Sequence, residues 1–108
     1  MIYHIAHKKD WQAALSNDTY QTDSLETEGF IHCSPKEKIF EIANNFYKGQ
    51  NGLVLLVIDE SKVKAKIIRE DLYNHNFEFP HIYGELNLDA VIDALDFKSS
   101  EDGMFIFP

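Results

Sequence analysis

The sequence predicts a single α+β domain spanning residues 1–108, and three observations carry this prediction. The length of 108 residues fits one domain and no linker-like tract divides it. Two segments of helical periodicity lie early in the chain, among short apolar runs typical of strands. The resulting order β-α-β-α-β-β-β-β is typical of a sheet core accompanied by two early helices.

The amino-acid composition argues against several functional classes. The formal charge of −8 disfavours broad electrostatic binding to nucleic acid, and 13% aromatic residues disfavour disorder. A single cysteine, Cys33, excludes an internal disulfide framework and a multi-cysteine zinc site. No apolar run reaches membrane-spanning length and the start lacks a signal-peptide pattern, so we expect a cytoplasmic protein without membrane contact. Oligomeric state has no sequence signal.

The first elements follow from short-range patterns. Ile2 to Ala6 predicts an opening strand. Asp10 is expected to cap a short helix ending at Asn17-Asp18, whose apolar positions recur at helical spacing. Gly29 to Cys33 predicts a second short strand.

The second helix has the most complete signals. Ser34 and Glu37 match a capping box, and Pro35 suits the first helical turn. Lys48-Gly49 supplies a stop. The apolar positions between these signals lie on one helical face: Ile39, Ile42, Ala43, Phe46 and Tyr47.

The second half predicts strands and turns. Leu53 to Ile58 is an uninterrupted apolar run, as expected of a strand buried on both faces. Ala90 to Phe97 fits either a strand or a helix. The remaining segments are predicted from turn residues and short apolar runs: a strand at Lys66 to Glu70, a turn at Asn74 to Asn76, a strand at His81 to Tyr83 after Phe79-Pro80, and a closing strand at Met104 to Phe107.

Strand alternation groups the polar residues into a candidate site. His32 and Ser34 share a face, and His81 aligns with Tyr83 and Glu85. His4, between two apolar neighbours, lies on a third strand. The alternation is consistent with three histidines at one cleft.

The same residues can also be explained by purely structural roles. A strand histidine is more often a hydrogen-bonded, partly buried residue than a catalytic one. The capping box accounts for Ser34 without a ligand, and Tyr83 can pack as an amphipathic strand residue. His7 and His75 have polar neighbours and are expected to be solvated.

Residue spacing argues against several other kinds of site. A three-histidine metal site from His4, His32 and His81 has no supporting His-x-His or His-x-x-x-His spacing. Cys33 points away from His32 because adjacent strand residues face opposite sides, so a buried, inert thiol is expected. The sequence has neither a P-loop nor a dinucleotide fingerprint. Further candidate charged groups are Glu28, Glu70 and Glu85 as acids or bases, and Arg69, which can clamp an anion or pair with a carboxylate.

Two sequence blocks carry a family resemblance. Glu28 to Ser34 reads Glu-Gly-Phe-Ile-His-Cys-Ser, and Phe79 to Gly84 reads Phe-Pro-His-Ile-Tyr-Gly. Together with Ile2 to Ile5, Trp11 and Leu53 to Asp59, they resemble the small bacterial family labelled domain of unknown function 952, from residue 2 to about Phe97. That family resembles the ADP-ribosyltransferase superfamily, especially its RNA 2′-phosphotransferase branch.

The resemblance implies a split mixed sheet with NAD or a related nucleotide in its cleft. It implies that His4, His32 and Ser34 bind the cofactor, with Tyr83 stacking on nicotinamide. His81 or Glu85 would act on the acceptor, because the block that usually starts with a carboxylate starts here with His81.

The expected function is binding of NAD or a related small nucleotide, with ribosyl transfer as the accompanying reaction. RNA phosphotransfer is disfavoured because that branch uses several arginines and this chain has only Arg69. A ligand-binding module that has lost transfer chemistry is the main alternative, followed by the three-histidine metal-dependent hydrolase.

Overall fold

The computed structural model describes residues 1–99 and 104–105, and this part has the predicted α+β class. No helix in these residues is long and apolar enough to cross a membrane. Two single 3₁₀ turns lie at Glu60–Lys62 and Leu88–Ala90. The helices and strands are β1 Ile2–His7, α1 Lys8–Asn17, β2 Thr19–Tyr20, α2 Asp23–Thr27, β3 Ile31–His32, α3 Lys36–Phe46, β4 Leu53–Ile58, β5 Lys66–Glu70, β6 Phe79–Tyr83, β7 Leu86–Asn87 and β8 Val91–Phe97.

The strands form two three-stranded sheets and one short pair. Their orders are β1-β4-β8, β3-β6-β5 and β2-β7. All of these described ladders are antiparallel, so the expected mixed sheet is not found. The two larger sheets meet where Tyr3 and Ser34 exchange backbone hydrogen bonds of 2.8 Å. The chain therefore pairs with β6 along β3 and then, at Ser34, with Tyr3 of β1.

Strand β4 is the centre of the first sheet, and its burial confirms the prediction from its apolar run. Leu55, Leu56 and Ile58 are fully buried. Leu56 and Ile58 pack into one hydrophobic cluster and Leu55 into another, because alternate side chains point to opposite faces. The second cluster includes Ile39 and Ala43 of α3. A strand with core on both sides needs no polar face.

Helix α1 begins earlier than predicted, and helix α2 is absent from the prediction. α1 begins at Lys8 with His7 in the capping position, so Asp10 lies in its first turn instead of capping it. The predicted end is confirmed, with Asp18 in the left-handed conformation at φ 65°. α2 is an additional helix, so the described residues form three α-helices instead of the two predicted. Its five residues are too few to show a helical period in the sequence.

The predicted capping box before α3 is wrong. Pro35 occupies the capping position, and no side chain caps the helix. Ser34 lies one residue earlier, held extended by its backbone pairing with Tyr3. Tertiary pairing therefore overrides the local sequence signal and leaves the Ser34 hydroxyl available for another role.

The later strands mostly follow the sequence. Lys66–Glu70 is confirmed, and Ala90 to Phe97 resolves as strand β8, because Val91 to Phe97 pair with β4. The predicted His81 to Tyr83 strand begins earlier, at Phe79, whereas the Gly29 to Cys33 strand shortens to Ile31–His32. Of the closing strand at Met104 to Phe107, Phe105 bridges Ser99, and residues 106–107 lie outside the described residues.

Gly84, directly after β6, gives a test of this packing. Its φ is 154°, and an added Cβ would lie 3.0 Å from the Cβ of Ala65. We expect Gly84→Ala to lower the free energy of unfolding by about 2 kcal/mol, through backbone strain and this contact. Gly49→Ala is the control, because its φ of 81° is strained while its added Cβ meets nothing within 4 Å. Equal urea-denaturation losses for both variants would show that the contact costs nothing.

Candidate functional site

A cleft of about 660 Å³ opens where β1, β3 and β6 come together. Side chains of α3, of the loop between β5 and β6, and of α1 and the α2 region also line it. This volume lies in the range of small-molecule and cofactor pockets. The cleft contains the predicted site residues His4, His32, Ser34 and His81, whereas Tyr83 and Glu85 are absent from its lining.

His32 belongs to a hydrogen-bonded group at the cleft mouth, which we call the outer triad: His32, Glu28 and Tyr73. The His32 Nε2 lies 2.7 Å from a carboxylate oxygen of Glu28, and the Tyr73 hydroxyl donates to the other oxygen. These two hydrogen bonds, that from His32 first, hold the pKa of Glu28 below its usual value. The His32 side chain remains 43% exposed, so its ring meets both solvent and cleft.

His81 belongs to a matching group, the inner triad: His81, Glu70 and Tyr83. The His81 Nδ1 lies 2.8 Å from a Glu70 oxygen that also accepts from the Tyr83 hydroxyl. The Tyr83 hydrogen bond first, then that of His81, holds the pKa of Glu70 below its usual value. His81 itself is only 2% exposed but lines the cleft. The carboxylate therefore fixes the orientation of a buried imidazole.

The two triads lie side by side because of strand register. His32 and His81 are directly opposed on β3 and β6, which puts both rings on one face, with centroids 5.4 Å apart. Their neighbours Ile31 and Ile82 point into the core on the other face. Phe30 stacks on the His81 ring at 4.1 Å and 17°. The strand alternation predicted from the sequence is correct for these two histidines.

His4 has a different environment from the other two histidines. Its Nδ1 faces the carbonyl oxygen of His32, which can only accept, so the proton is assigned to Nδ1. Its Nε2 then accepts from the Tyr20 hydroxyl at 2.8 Å. Burial lowers the pKa of His4 to about 4, and its alternation places it with core residues Ile2 and Ala6. His4 borders the cleft as a neutral residue with both ring nitrogens engaged.

Ser34 carries a buried polar group in the cleft that lacks a hydrogen-bond partner. The residue is 3% exposed, and its Oγ has no hydrogen-bond partner. A buried hydroxyl without a partner costs free energy, so such groups in folded proteins call for an explanation. The Ser34 position at the cleft lining supplies one, because a ligand there can complete the hydrogen bond.

The other predicted polar residues lie away from the cleft. Glu85 accepts a hydrogen bond of 3.2 Å from Thr19 on the surface. Arg69 pairs with Glu60 at 2.6 Å, which matches the expectation that it can pair with a carboxylate. Tyr83 reaches Glu70 behind His81 instead of facing the cleft.

Sequence reasoning missed Tyr73 and the roles of two glutamates. Glu28 precedes His32 by four residues within one motif block, a spacing that could have suggested the contact. Glu70 and His81 meet only because β5 and β6 pair. Tyr73 lies in a loop, is 49% exposed, and stacks near His32 at 6.1 Å, making it an exposed aromatic ring of the cleft.

The cleft has an acidic character. Its lining in the described residues includes the carboxylates of Asp10, Asp23 and Glu28 and contains no lysine or arginine. No group of three or more metal-ligating residues comes together in the described chain, and His4 has no free nitrogen for a metal, so this geometry does not assemble the three-histidine site. Burial raises the pKa of the Cys33 thiol, as expected for an inert cysteine.

A family model described as protein of unknown function (DUF952) matches residues 5–94. The chain belongs to the DUF952 family. The match spans both triads and Ser34, whereas Tyr3 and His4 of the cleft lining precede its first residue. The family resemblance drawn from the motif blocks is thereby confirmed.

Solved structures similar to this DUF952 chain come from Caulobacter crescentus. The crystal structure of protein CC0527 is 28% identical, with a TM-score of 0.87, and the match covers 97% of this chain and 92% of that one. The solution structure of CC0527 gives a TM-score of 0.75, covering 95% and 89%. No curated protein matches the sequence.

Proposed function

We propose that the cleft binds a small molecule containing a nucleoside, with NAD or a related nucleotide as the candidate. The resemblance to ADP-ribosyltransferases suggests this ligand, and the buried, unpartnered hydroxyl of Ser34 is the observation that carries the proposal. A ribose hydroxyl can accept from Ser34 and donate to a free imidazole nitrogen of His32 or His81. Both nitrogens lack partners in the described structure.

The walls of the cleft suit the base of such a ligand. Tyr73 and Phe46 are exposed aromatic side chains at its edge, and a planar base can stack on them. Because no lysine or arginine lines the described cleft, phosphates receive no fixed positive charge there. We therefore propose that the nucleoside portion, more than the phosphates, supplies the affinity.

The test is a titration of the labelled protein with NAD, followed by amide NMR and by calorimetry. We expect shifts at Gly29 to Ser34, His81 and the Tyr73 loop. His32→Ala should abolish binding while the rest of the amide spectrum stays native. The absence of chemical-shift changes and of binding heat at millimolar NAD, or unchanged binding by His32→Ala, would overturn the proposal.

Glu85→Gln is the matched variant for the role that the resemblance implies for Glu85. Since Glu85 bonds to Thr19 outside the cleft, we expect its loss to leave the dissociation constant for NAD unchanged. A weakening of tenfold or more in the same calorimetric assay would instead favour movement of Glu85 into the cleft on binding.

A ligand-binding module without transfer chemistry is the second candidate. The position of Glu85 outside the cleft favours it, because no carboxylate then comes from the block where the superfamily usually has one. Incubation with NAD and an acid quench separates the candidates. Release of nicotinamide above the protein-free background favours transfer or hydrolysis, and its absence in a protein that binds NAD favours the module.

A further inference from the structure

The outer and inner triads share a chemical design that binding alone does not require. In each, a carboxylate with a lowered pKa accepts from a histidine and a tyrosine. An ionised carboxylate only accepts, so each histidine directs an N–H toward it. The opposite ring nitrogen, Nδ1 of His32 and Nε2 of His81, has no partner among the described residues. Each is free to give or take a proton.

The surroundings of the two rings give them different roles. The His81 ring stacks face to face on Phe30 at 4.1 Å, and an aromatic face stabilises a cation above it. The Glu70 carboxylate and the Phe30 ring fix the His81 ring with its Nε2 unpartnered, and we assign this nitrogen the role of proton donor. His32 is 43% exposed at the cleft mouth, where it meets water, and is suited to act as the base.

The charge of the cleft selects the kind of reaction. Preorganised charges favour a transition state that gains charge of the opposite sign. Asp10, Asp23 and Glu28 line the cleft without lysine or arginine in the described residues, so a developing positive charge is favoured and a developing negative charge is not. Cleavage of a glycosidic bond builds positive charge on the sugar, whereas phosphoryl transfer places negative charge on phosphate oxygens.

We propose that His81 and His32 form the acid–base pair of a hydrolase for the N-glycosidic bond of nucleosides. This rests on the proposed function in placing a nucleoside in the cleft. As the C1′–N bond breaks, its electron pair goes to the base, and His81 Nε2 gives its proton to that base. Water bonds to C1′ while its proton goes to His32 Nδ1. The products are free base and ribose, and solvent returns both histidines to their starting protonation.

Chromatographic detection of free base after incubation with adenosine, inosine or uridine tests the assignment. We expect base release by the native chain, and a loss of about 100-fold or more for His81→Asn and for His32→Asn. Glu60→Gln is the control, since Glu60 pairs with Arg69 on the surface, and should keep the native rate. Amide NMR spectra establish that each variant is folded.

A nitrophenyl riboside separates the two roles. Its leaving group departs as a stable anion and needs no proton, so His81→Asn should recover most of the native rate on this substrate. His32→Asn should remain slow, because water must still be activated. Equal recovery by both variants would overturn the assignment of acid and base.

The outcomes also distinguish this inference from the proposed function. A folded chain that binds NAD but releases no base from any of the three nucleosides overturns the hydrolase while the binding proposal stands. Base release without NAD binding supports the hydrolase and overturns NAD as the ligand. Base release that persists at the native rate in both histidine variants overturns the assigned residues.

Discussion

Acidification from pH 7 to pH 4 should remove about 3 kcal/mol of unfolding free energy through His4 alone. Burial lowers the pKa of His4 from 6.5 to about 4. In the unfolded chain, His4 takes up a proton near pH 6.5, whereas the folded chain resists this until about pH 4. The unfolded state thus binds more protons between these values. The stability from neutral His4 is complete above pH 6.5 and is lost as pH falls.

The measurement compares urea denaturation of the native chain and His4→Gln between pH 7 and pH 4. Glutamine can donate to the His32 carbonyl and accept from Tyr20, but it does not titrate in this range. Lowered carboxylate pKa values, such as those of Asp59 and Asp71, cause acid loss in both chains. The difference between them isolates His4. Parallel pH profiles would contradict the buried neutral assignment.

Ser34→Ala should move stability and ligand binding in opposite directions. Removal of a buried hydroxyl without a partner relieves its desolvation penalty, so we expect the free energy of unfolding to rise by about 1 kcal/mol. The same change removes a hydrogen bond to the ligand, so the dissociation constant for NAD should rise about tenfold. Such opposition is expected at sites where a functional group is kept at the expense of stability.

Ser24→Ala supplies the matched comparison for stability. The Ser24 hydroxyl donates to the carbonyl oxygen of Phe30 at 2.6 Å, so its removal leaves an acceptor unpaired and should destabilise the fold by about 1 kcal/mol. Opposite signs for the two serine variants in urea denaturation would establish that Ser34 has no partner in the free protein. A destabilised Ser34→Ala would show that the hydroxyl is satisfied internally.

The paired histidines show why the sequence predicts only part of the site. Alternation on β3 and β6 correctly placed His32 and His81 on one face, because the side-chain period of a strand is local. Their carboxylate partners depend on distances between segments. Glu70 is brought to His81 by the pairing of β5 with β6, and Tyr73 reaches Glu28 across 45 residues. Sequence spacing does not specify such contacts.

For Ser34 a local pattern predicts the wrong environment, and for His4 the predicted position at the cleft leaves its hydrogen-bond partners unspecified. Alternation allowed His4 to face the common cleft, yet the Tyr20 hydroxyl and the His32 carbonyl bind both of its nitrogens. The capping box assigned Ser34 to α3, but backbone pairing with Tyr3 fixes it in an extended conformation. In both cases, partners from distant segments outcompete the local pattern.

The α+β class, the buried strand β4, most strand positions and the DUF952 family follow from the sequence alone, because apolar periodicity and motif blocks are properties of neighbouring residues. Tertiary structure decided the antiparallel pairing, the two triads, the exclusion of Glu85 from the cleft and the unpartnered Ser34 hydroxyl. These features depend on contacts between residues that are far apart in the sequence. Burial and hydrogen-bond satisfaction depend on which distant segments meet, and only the folded chain specifies those meetings.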